Sequence, residues 1–145
     1  MKTSSGILAY RFNPNLEVLL GHPGGPYYTP KWGIPKGEVE EDESLFETAL
    51  REFNEETGCY PQGEFIDLGS VSTNKKHNHI WAVEWDCDIN EFHSNYFTME
   101  YPSNSGELES FPELDEIKWF SIEEAFTKLF DSQIAFLIKL EELLK

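Results

Sequence analysis

Residues 51–58 read Arg-Glu-Phe-Asn-Glu-Glu-Thr-Gly and place Glu52, Glu55 and Glu56 within five positions of one another. On a helix, residues three and four apart share a face with Cβ atoms roughly 5–6 Å apart, so all three carboxylates lie together. Like charges that close push carboxylate pKa values upward, and a helix C-terminus already carries partial negative charge. Arg51, one of two arginines in the chain, offsets part of this. A divalent cation would offset far more, and clustered hard oxygens favour Mg²⁺, Mn²⁺ or Ca²⁺ over zinc. The competing reading is a solvated acidic face. The metal reading requires a cavity beside the carboxylates and a charge not already consumed by internal salt bridges.

The elements that must hold this turn are legible around it. Ser44 and Glu47 form a capping-box pair that starts a helix, Leu45, Phe46, Ala49, Leu50 and Phe53 recur at helical spacing as its buried face, and Gly58 stands where a left-handed C-terminal residue ends it. Upstream, SSGILAYRF and LEVLLGH read as strands joined at Asn13-Pro14-Asn15. HPGGPYYTP reads as loop, KWGIP as a short extended piece and KGEVEEDE as polar loop. Strands follow around EFIDLGSVS and HIWAVEWDCD, then an irregular stretch from about Asn90 to Glu113, then a strand at EIKWF. Ser121 and Glu124 open a second helix with Ala125, Phe126, Leu129 and Phe130 inward. After a break near Asp131-Ser132, a last helix ends at Leu144. Its Phe136, Leu140 and Leu143 lie off the Ile134–Leu137–Ile138 stripe, giving two apolar sides that fit either a buried helix or a dimer contact. Strands with interspersed helices predict a mixed sheet flanked by helices in one domain, residues 1–145.

Composition narrows the function classes. With 145 residues, 39% hydrophobic and 14% aromatic, the chain can bury a core. Its net charge of −16 opposes binding to a nucleic-acid duplex or an anionic membrane. The same charge serves either solubility or cation binding. No apolar run resembles a signal peptide or a membrane span. Cys59 and Cys87 form neither a disulfide framework nor a CxxC pair, so a reducing, cytoplasmic setting is expected.

Gly37, five residues, Glu43, seven residues, then Arg51-Glu52-Phe53-Asn54-Glu55-Glu56-Thr57-Gly58-Cys59 resembles the Nudix box, whose pattern is G-x5-E-x7-R-E-U-x-E-E-x-G-U with U bulky and aliphatic. Every fixed polar and glycine position is filled. Phe53 and Cys59 depart at U positions but remain apolar. WGIPKG just before the box also resembles the family. The resemblance implies an α/β/α sandwich around a mixed sheet and hydrolysis of a nucleoside diphosphate linked to another group X. It implies Glu52, Glu55 and Glu56 as ligands of Mg²⁺ or Mn²⁺, joined by the Gly37 carbonyl, with Glu43 and Arg51 bracing them. The cation would neutralise phosphate charge and acidify a water. Glu55 is the first candidate for the base and Glu113, before the EIKWF strand, the second; a solvated loop residue is the alternative for Glu113.

For the substrate, Lys36 beside the box reads as a phosphate contact. Lys75 and Lys76, with His77, form the one dense basic cluster, in a segment similar to those of enzymes cleaving dinucleoside or diphosphoinositol polyphosphates; a plain charged hairpin is the alternative. Tyr28 and Trp32 are candidates to stack on a base, and Tyr27, Tyr96 and Phe97 share that potential, a contact worth ~1–3 kcal/mol. Trp81, Trp85 and Trp119 read as core or sheet residues. Only 11 Lys and Arg argue against an inositol substrate. The proline and tyrosine markers of ADP-ribose and some dinucleoside polyphosphate enzymes are missing downstream. TMEYPSNSG and FPELDEIKWF resemble a bacterial subgroup described as predicted NTP pyrophosphohydrolases. The expectation is therefore a monomeric or homodimeric pyrophosphohydrolase of nucleoside or dinucleoside polyphosphates. A nucleotide sensor of the same fold is the competing class.

Overall fold

Strand β1 (Lys2–Phe12) runs through the middle of the molecule, and both of its faces are covered. A strand buried on both sides needs a continuous apolar run rather than alternation, and Ile7, Leu8, Ala9 and Tyr10 supply it, each at most 5% exposed. The computed structural model describes residues 2–145. Strand β2 (Leu16–Pro23) returns antiparallel from the Asn13–Asn15 turn. β3 (Lys36–Glu38) leads to helix α1 (Leu45–Thr57), followed by β4 (Phe65–Ser72), β5 (Lys76–Glu84), β6 (Tyr96–Glu100), β7 (Leu108–Pro112), β8 (Leu114–Ser121), α2 (Ile122–Lys128) and α3 (Ile134–Leu143). The main sheet is ordered β4-β5-β1-β2-β8 with β3 added to β1, and it is mixed, because β5 lies parallel to β1. β6 and β7 form a separate hairpin.

Each face of the sheet has its own core. Ala49 and Phe53 of α1 pack on Ile7, Ala9, Leu19 and Val83. On the other face, Ala125, Leu129, Phe136, Leu137 and Leu140 pack on Leu8, Val18, Leu20 and Phe120. The architecture is the expected α/β/α sandwich.

The sheet splits where the chemistry gathers. β1 meets β2 only at Tyr10–Phe12, and Ser4–Gly6 pair instead with β3. Meanwhile β2 bridges Gly21 to Gly33 and continues along β8. Gly6 permits the junction, since a Cβ there would overlap the Pro35 carbonyl. The opening between β1 and β2 is therefore lined by β3, the Gly33–Lys36 segment and the C-terminal half of α1.

Four expectations are corrected. Lys36–Glu38 is a strand, not loop, because it completes the β1 edge that β2 leaves. The Asn90–Glu113 stretch is not irregular: Tyr96–Glu100 pairs with Leu108–Pro112 in full register, and Phe97, Tyr101 and Phe111 cluster there. Cys59 and Cys87 are joined in a disulfide with Cα atoms 6.0 Å apart, so cysteine usage gives no argument for a reducing compartment. The last helix buries one wide side, Phe136, Leu137 and Leu140, and leaves Ile138 and Leu143 exposed, because it packs on the sheet face beside α2 with its other side turned to solvent. Among the described residues no helix is long and apolar enough to cross a membrane.

Candidate functional site

Helix α1 begins as its sequence dictates. The Ser44 hydroxyl accepts from the Glu47 N–H and the Glu47 carboxylate accepts from the Ser44 N–H, closing the capping box. It ends at Gly58, whose φ of 77° is left-handed and whose N–H donates to the Asn54 carbonyl. Its late carbonyls are then satisfied from outside, as helix ends require. The His93 N–H donates to Thr57 O, and the Asn95 N–H to Glu55 O at 2.8 Å. The Glu113 N–H donates in turn to Asn95 O at 2.9 Å. Asn95 and Glu113 are the two feet of the β6–β7 hairpin, so the hairpin delivers Glu113 to the helix end.

Arg51 organises the acidic surface. Its guanidinium grips Glu43 with two bonds, Nε–Oε2 at 2.6 Å and Nη2–Oε1 at 3.0 Å, and also reaches Glu52 at 3.0 Å and Glu55 at 3.3 Å. The Arg51 bonds, opposed by burial and aided by the Glu40 N–H and the Thr48 hydroxyl, hold the Glu43 carboxyl down at about 2. The guanidinium is correspondingly harder to deprotonate. Arg51 thus serves Glu43, Glu52 and Glu55, and the cation whose field reaches Glu56 is Lys36.

Glu56 is 5% exposed and, among the described residues, has no ion-pair partner within 4.0 Å. Burial first, then its hydrogen bond with Glu52 and the fields of Glu52 and Glu113, push its carboxyl up to about 10. Glu113 is raised too, by burial and then by Glu52 and Glu55. Glu52, Glu56 and Glu113 border one cavity of about 410 Å³ with Lys36 and Gly37. Gly37 lets the Glu52 carboxyl lie against the backbone, since a Cβ there would displace it.

Among the described residues no three acidic, cysteine or histidine side chains are already arranged to hold a metal ion. Glu52 and Glu55 each lend an oxygen to Arg51, and Glu52 also bonds Glu56. The salt bridges therefore engage part of the surface, whereas the cavity and Glu56, which makes no salt bridge, remain. This donor set suits a hard divalent cation: carboxylate oxygens, one of them buried without a direct ion-pair partner, beside a cavity.

Lys36 lines that cavity and two others. One, of about 170 Å³, contains Gly21, Gly33, Glu56 and Glu113. The other, of about 230 Å³, contains Lys76 and Asn78. Lys36 is itself largely buried, and burial first, then Lys76, lower its pKa. Of the substrate candidates, Lys36 and Lys76 are thus brought together. Lys75, Tyr28 and Trp32 line none of these cavities. Trp32 packs between His22 and Phe120, with centroids at 5.2 and 5.0 Å, and Tyr28 is exposed beside His22. Glu55 also lies outside the cavities, its Oε2 held by Arg51 and, at 3.4 Å, by Asn95. A further cavity of about 420 Å³ borders Arg11, but that guanidinium is already paired with Glu17 and Asp86 at 2.8 Å each.

Sequence reasoning missed Asn95, Asn78 and Gln133. Asn78 carried a signal, a polar residue in phase with the buried Ile80 and Ala82 of the same strand. Asn95 and Gln133 carried none, because their partners lie 40 and 99 residues away.

A family model described as the NUDIX domain matches residues 2–140. Nudix hydrolase 5 of Arabidopsis thaliana is 29% identical over 122 residues, covering 82% of this chain and 36% of that protein. The chain spans about a third, 31% and 36%, of the length of the first curated relatives it matches. Among solved structures, the NUDIX domain of Shewanella oneidensis NrtR complexed with ADP ribose superimposes with a TM-score of 0.72 at 18% identity, covering 99% of this chain and 88% of that one. A C. elegans Ap4A hydrolase binary complex gives 0.67 at 20% identity, covering 99% and 98%. At these identities the structural likeness shows the shared fold.

Proposed function

The chain belongs to the Nudix family, and from that premise we propose that it hydrolyses a pyrophosphate bond in a nucleoside diphosphate linked to X, with a nucleoside or dinucleoside polyphosphate as substrate. The observation that carries this reading is the convergence of Glu52, the buried Glu56 and Glu113 with Lys36 on one cavity. Glu52 and Glu56, with the Gly37 carbonyl, would hold Mg²⁺ or Mn²⁺, and Glu55 would join them by releasing Arg51. When bound, such a cation supplies neutralisation of phosphate charge and acidification of water. The cytoplasm is proposed as the compartment from the substrate class alone, and residues 1–145 are proposed to act as one domain.

The chain's own groups have distinct parts. Lys36 places a positive charge where the phosphates enter. Arg51 and Glu43 fix the box helix against the Gly37–Glu43 loop, which preserves carboxylate orientation. Of the two candidate bases, Glu113 faces the cavity, and burial with the fields of Glu52 and Glu55 makes it a stronger base than an ordinary carboxylate. Glu55 lies at the rim and positions Asn95 and hence Glu113.

The test is a panel of NTPs, dinucleoside polyphosphates, nucleotide sugars and ADP-ribose with Mg²⁺, with products identified. The expected result is a mononucleotide product. Glu113→Gln should lower kcat by about 10²–10⁴-fold, the range of a lost general base, with Glu55→Gln less severe. No turnover across the panel, together with tight nucleotide binding, would replace the hydrolase reading with the sensor reading.

A further inference from the structure

The Cys59–Cys87 bridge joins the end of the box helix to the sheet. On the helix side, the Cys59 N–H donates to Thr57 Oγ1 at 3.0 Å and the Cys59 carbonyl accepts from Asn54 Nδ2 at 2.8 Å. On the sheet side, Cys87 is 2% exposed, packs in the α1-side core, and its carbonyl accepts from Trp119 Nε1 at 3.2 Å. Cys87 also heads the segment that runs on to Asn95.

That segment sets the place of Glu113. The Glu113 N–H donates to Asn95 O at 2.9 Å, so Glu113 follows Asn95. Among the described residues the segment's hydrogen bonds to α1 are His93 N–H to Thr57 O at 3.3 Å, Asn95 N–H to Glu55 O at 2.8 Å, and Asn95 Nδ2 to Glu55 Oε2 at 3.4 Å. Two of these are long. Meanwhile Asn95 Oδ1 is buried without any partner. An unpaired buried acceptor opposes the seated state, and water would satisfy it if the joint opened. The covalent bridge holds the joint shut against that cost.

The bridge is also within reach. Cys59 is half-buried, and a cavity of about 290 Å³ lies beside it between Tyr60 and Trp85, which are 64% and 38% exposed. An incoming thiolate meets the Cys59 sulfur first, because Cys87 faces the core. In the cytoplasm proposed above, disulfides are rare, and those that occur are mostly transient and redox-sensing.

Resting on the pyrophosphohydrolase reading above, we propose that Cys59–Cys87 is a site of thiol–disulfide exchange with a dithiol reductant, and that opening it unseats Asn95 and with it Glu113. One thiolate of the dithiol attacks Cys59 Sγ. A mixed disulfide forms as the Cys59–Cys87 bond breaks, and Cys87 leaves as a thiolate that takes up a proton. The second sulfur of the dithiol then attacks the mixed disulfide and frees Cys59, which is protonated in turn. The dithiol ends as a disulfide, two electrons and two protons having passed to the cysteine pair. The oxidised chain is the active form and the reduced chain the slow one.

Dithiothreitol is the probe, added to the folded protein without denaturant, with alkylation, hydrogen exchange and turnover read in parallel. Reduction should go to completion while the protein stays folded, and Cys59 should be alkylated before Cys87. The amides of Asn95 and Glu113 should exchange at least about tenfold faster, with those of β1 unchanged. On the panel substrate that turns over, kcat should fall by about 10- to 100-fold, the scale of a catalytic group displaced by about 1 Å, with KM changed less, and reoxidation should restore it. Cys59→Ser should match the reduced protein and ignore dithiothreitol. In Glu113→Gln, reduction should move kcat by less than about twofold, because the displaced group is already gone; a further fall as large as in wild type would show general loosening and overturn the proposal. A bridge reduced only where urea unfolds the chain would overturn it too, as would a reduced, folded protein with the kcat of the oxidised one. If no substrate turns over in either state, the hydrolase reading fails. Hydrogen exchange then decides the joint by itself: faster Asn95 and Glu113 amides on reduction uphold it, and unchanged ones overturn it.

Discussion

Replacing Glu56 with Gln tests the electrostatic core of the site. In the folded chain the Glu56 carboxyl is pushed up to about 10 from an ordinary 4.5, so at pH 7 without metal it keeps its proton and donates to Glu52. The unfolded chain is ionised at that pH. For an acid whose folded pKa is raised, its stabilising contribution is complete below pH 4.5, declines as pH rises, and is exhausted near pH 10. The loss is about 1.36 kcal/mol per pH unit, so the interval from 4.5 to 7 amounts to about 3 kcal/mol. That is an upper bound, since Glu52 and Glu113 share the field. Gln is nearly isosteric with the protonated acid, keeps a donor toward Glu52 and takes up no proton on folding. Glu56→Gln should therefore be more stable than wild type at pH 7 in chelator, by up to about 3 kcal/mol, and the gap should shrink toward pH 5. Urea denaturation of both proteins from pH 5 to 8 in EDTA measures it. Saturating Mg²⁺ should then stabilise wild type by about 2.7 kcal/mol at a hundred times its dissociation constant and leave the variant unmoved. Parallel pH profiles for the two proteins, or a variant destabilised at every pH, would refute the reasoning.

Gly37→Ala places a methyl group where the Glu52 carboxyl lies; it should displace that side chain, leave the protein folded, and abolish the Mg²⁺-induced shift in melting temperature. Reduction of Cys59–Cys87, which closes a separation of 28 residues, should lower stability by roughly 3–4 kcal/mol on the chain-entropy estimate, read by urea denaturation with and without dithiothreitol. The C-terminus of α1 should also lose amide protection first, because the bond follows Gly58 directly and braces the segment that binds Thr57 and Glu55.

The sequence determined the local parts of this protein. The capping box at Ser44, the left-handed stop at Gly58 and the carboxylate face of α1 all follow from side-chain chemistry within one or two helical turns, so the order of residues alone makes them legible. The Glu43–Arg51 brace spans eight residues and is readable only through the spacing of the box. Tertiary structure decided the rest. A chain cannot announce that Lys36–Glu38 will fill the β1 edge that β2 abandons, since that depends on a sheet split at Gly6. Nor can it show that a hairpin between Tyr96 and Pro112 will set Glu113 against Glu52 and Glu56. Which glutamates face a cavity, which are held by Arg51, and which buried amide lacks a partner are matters of distance between segments remote in sequence. Periodicity reports which face of an element is buried, whereas only packing decides what it is buried against.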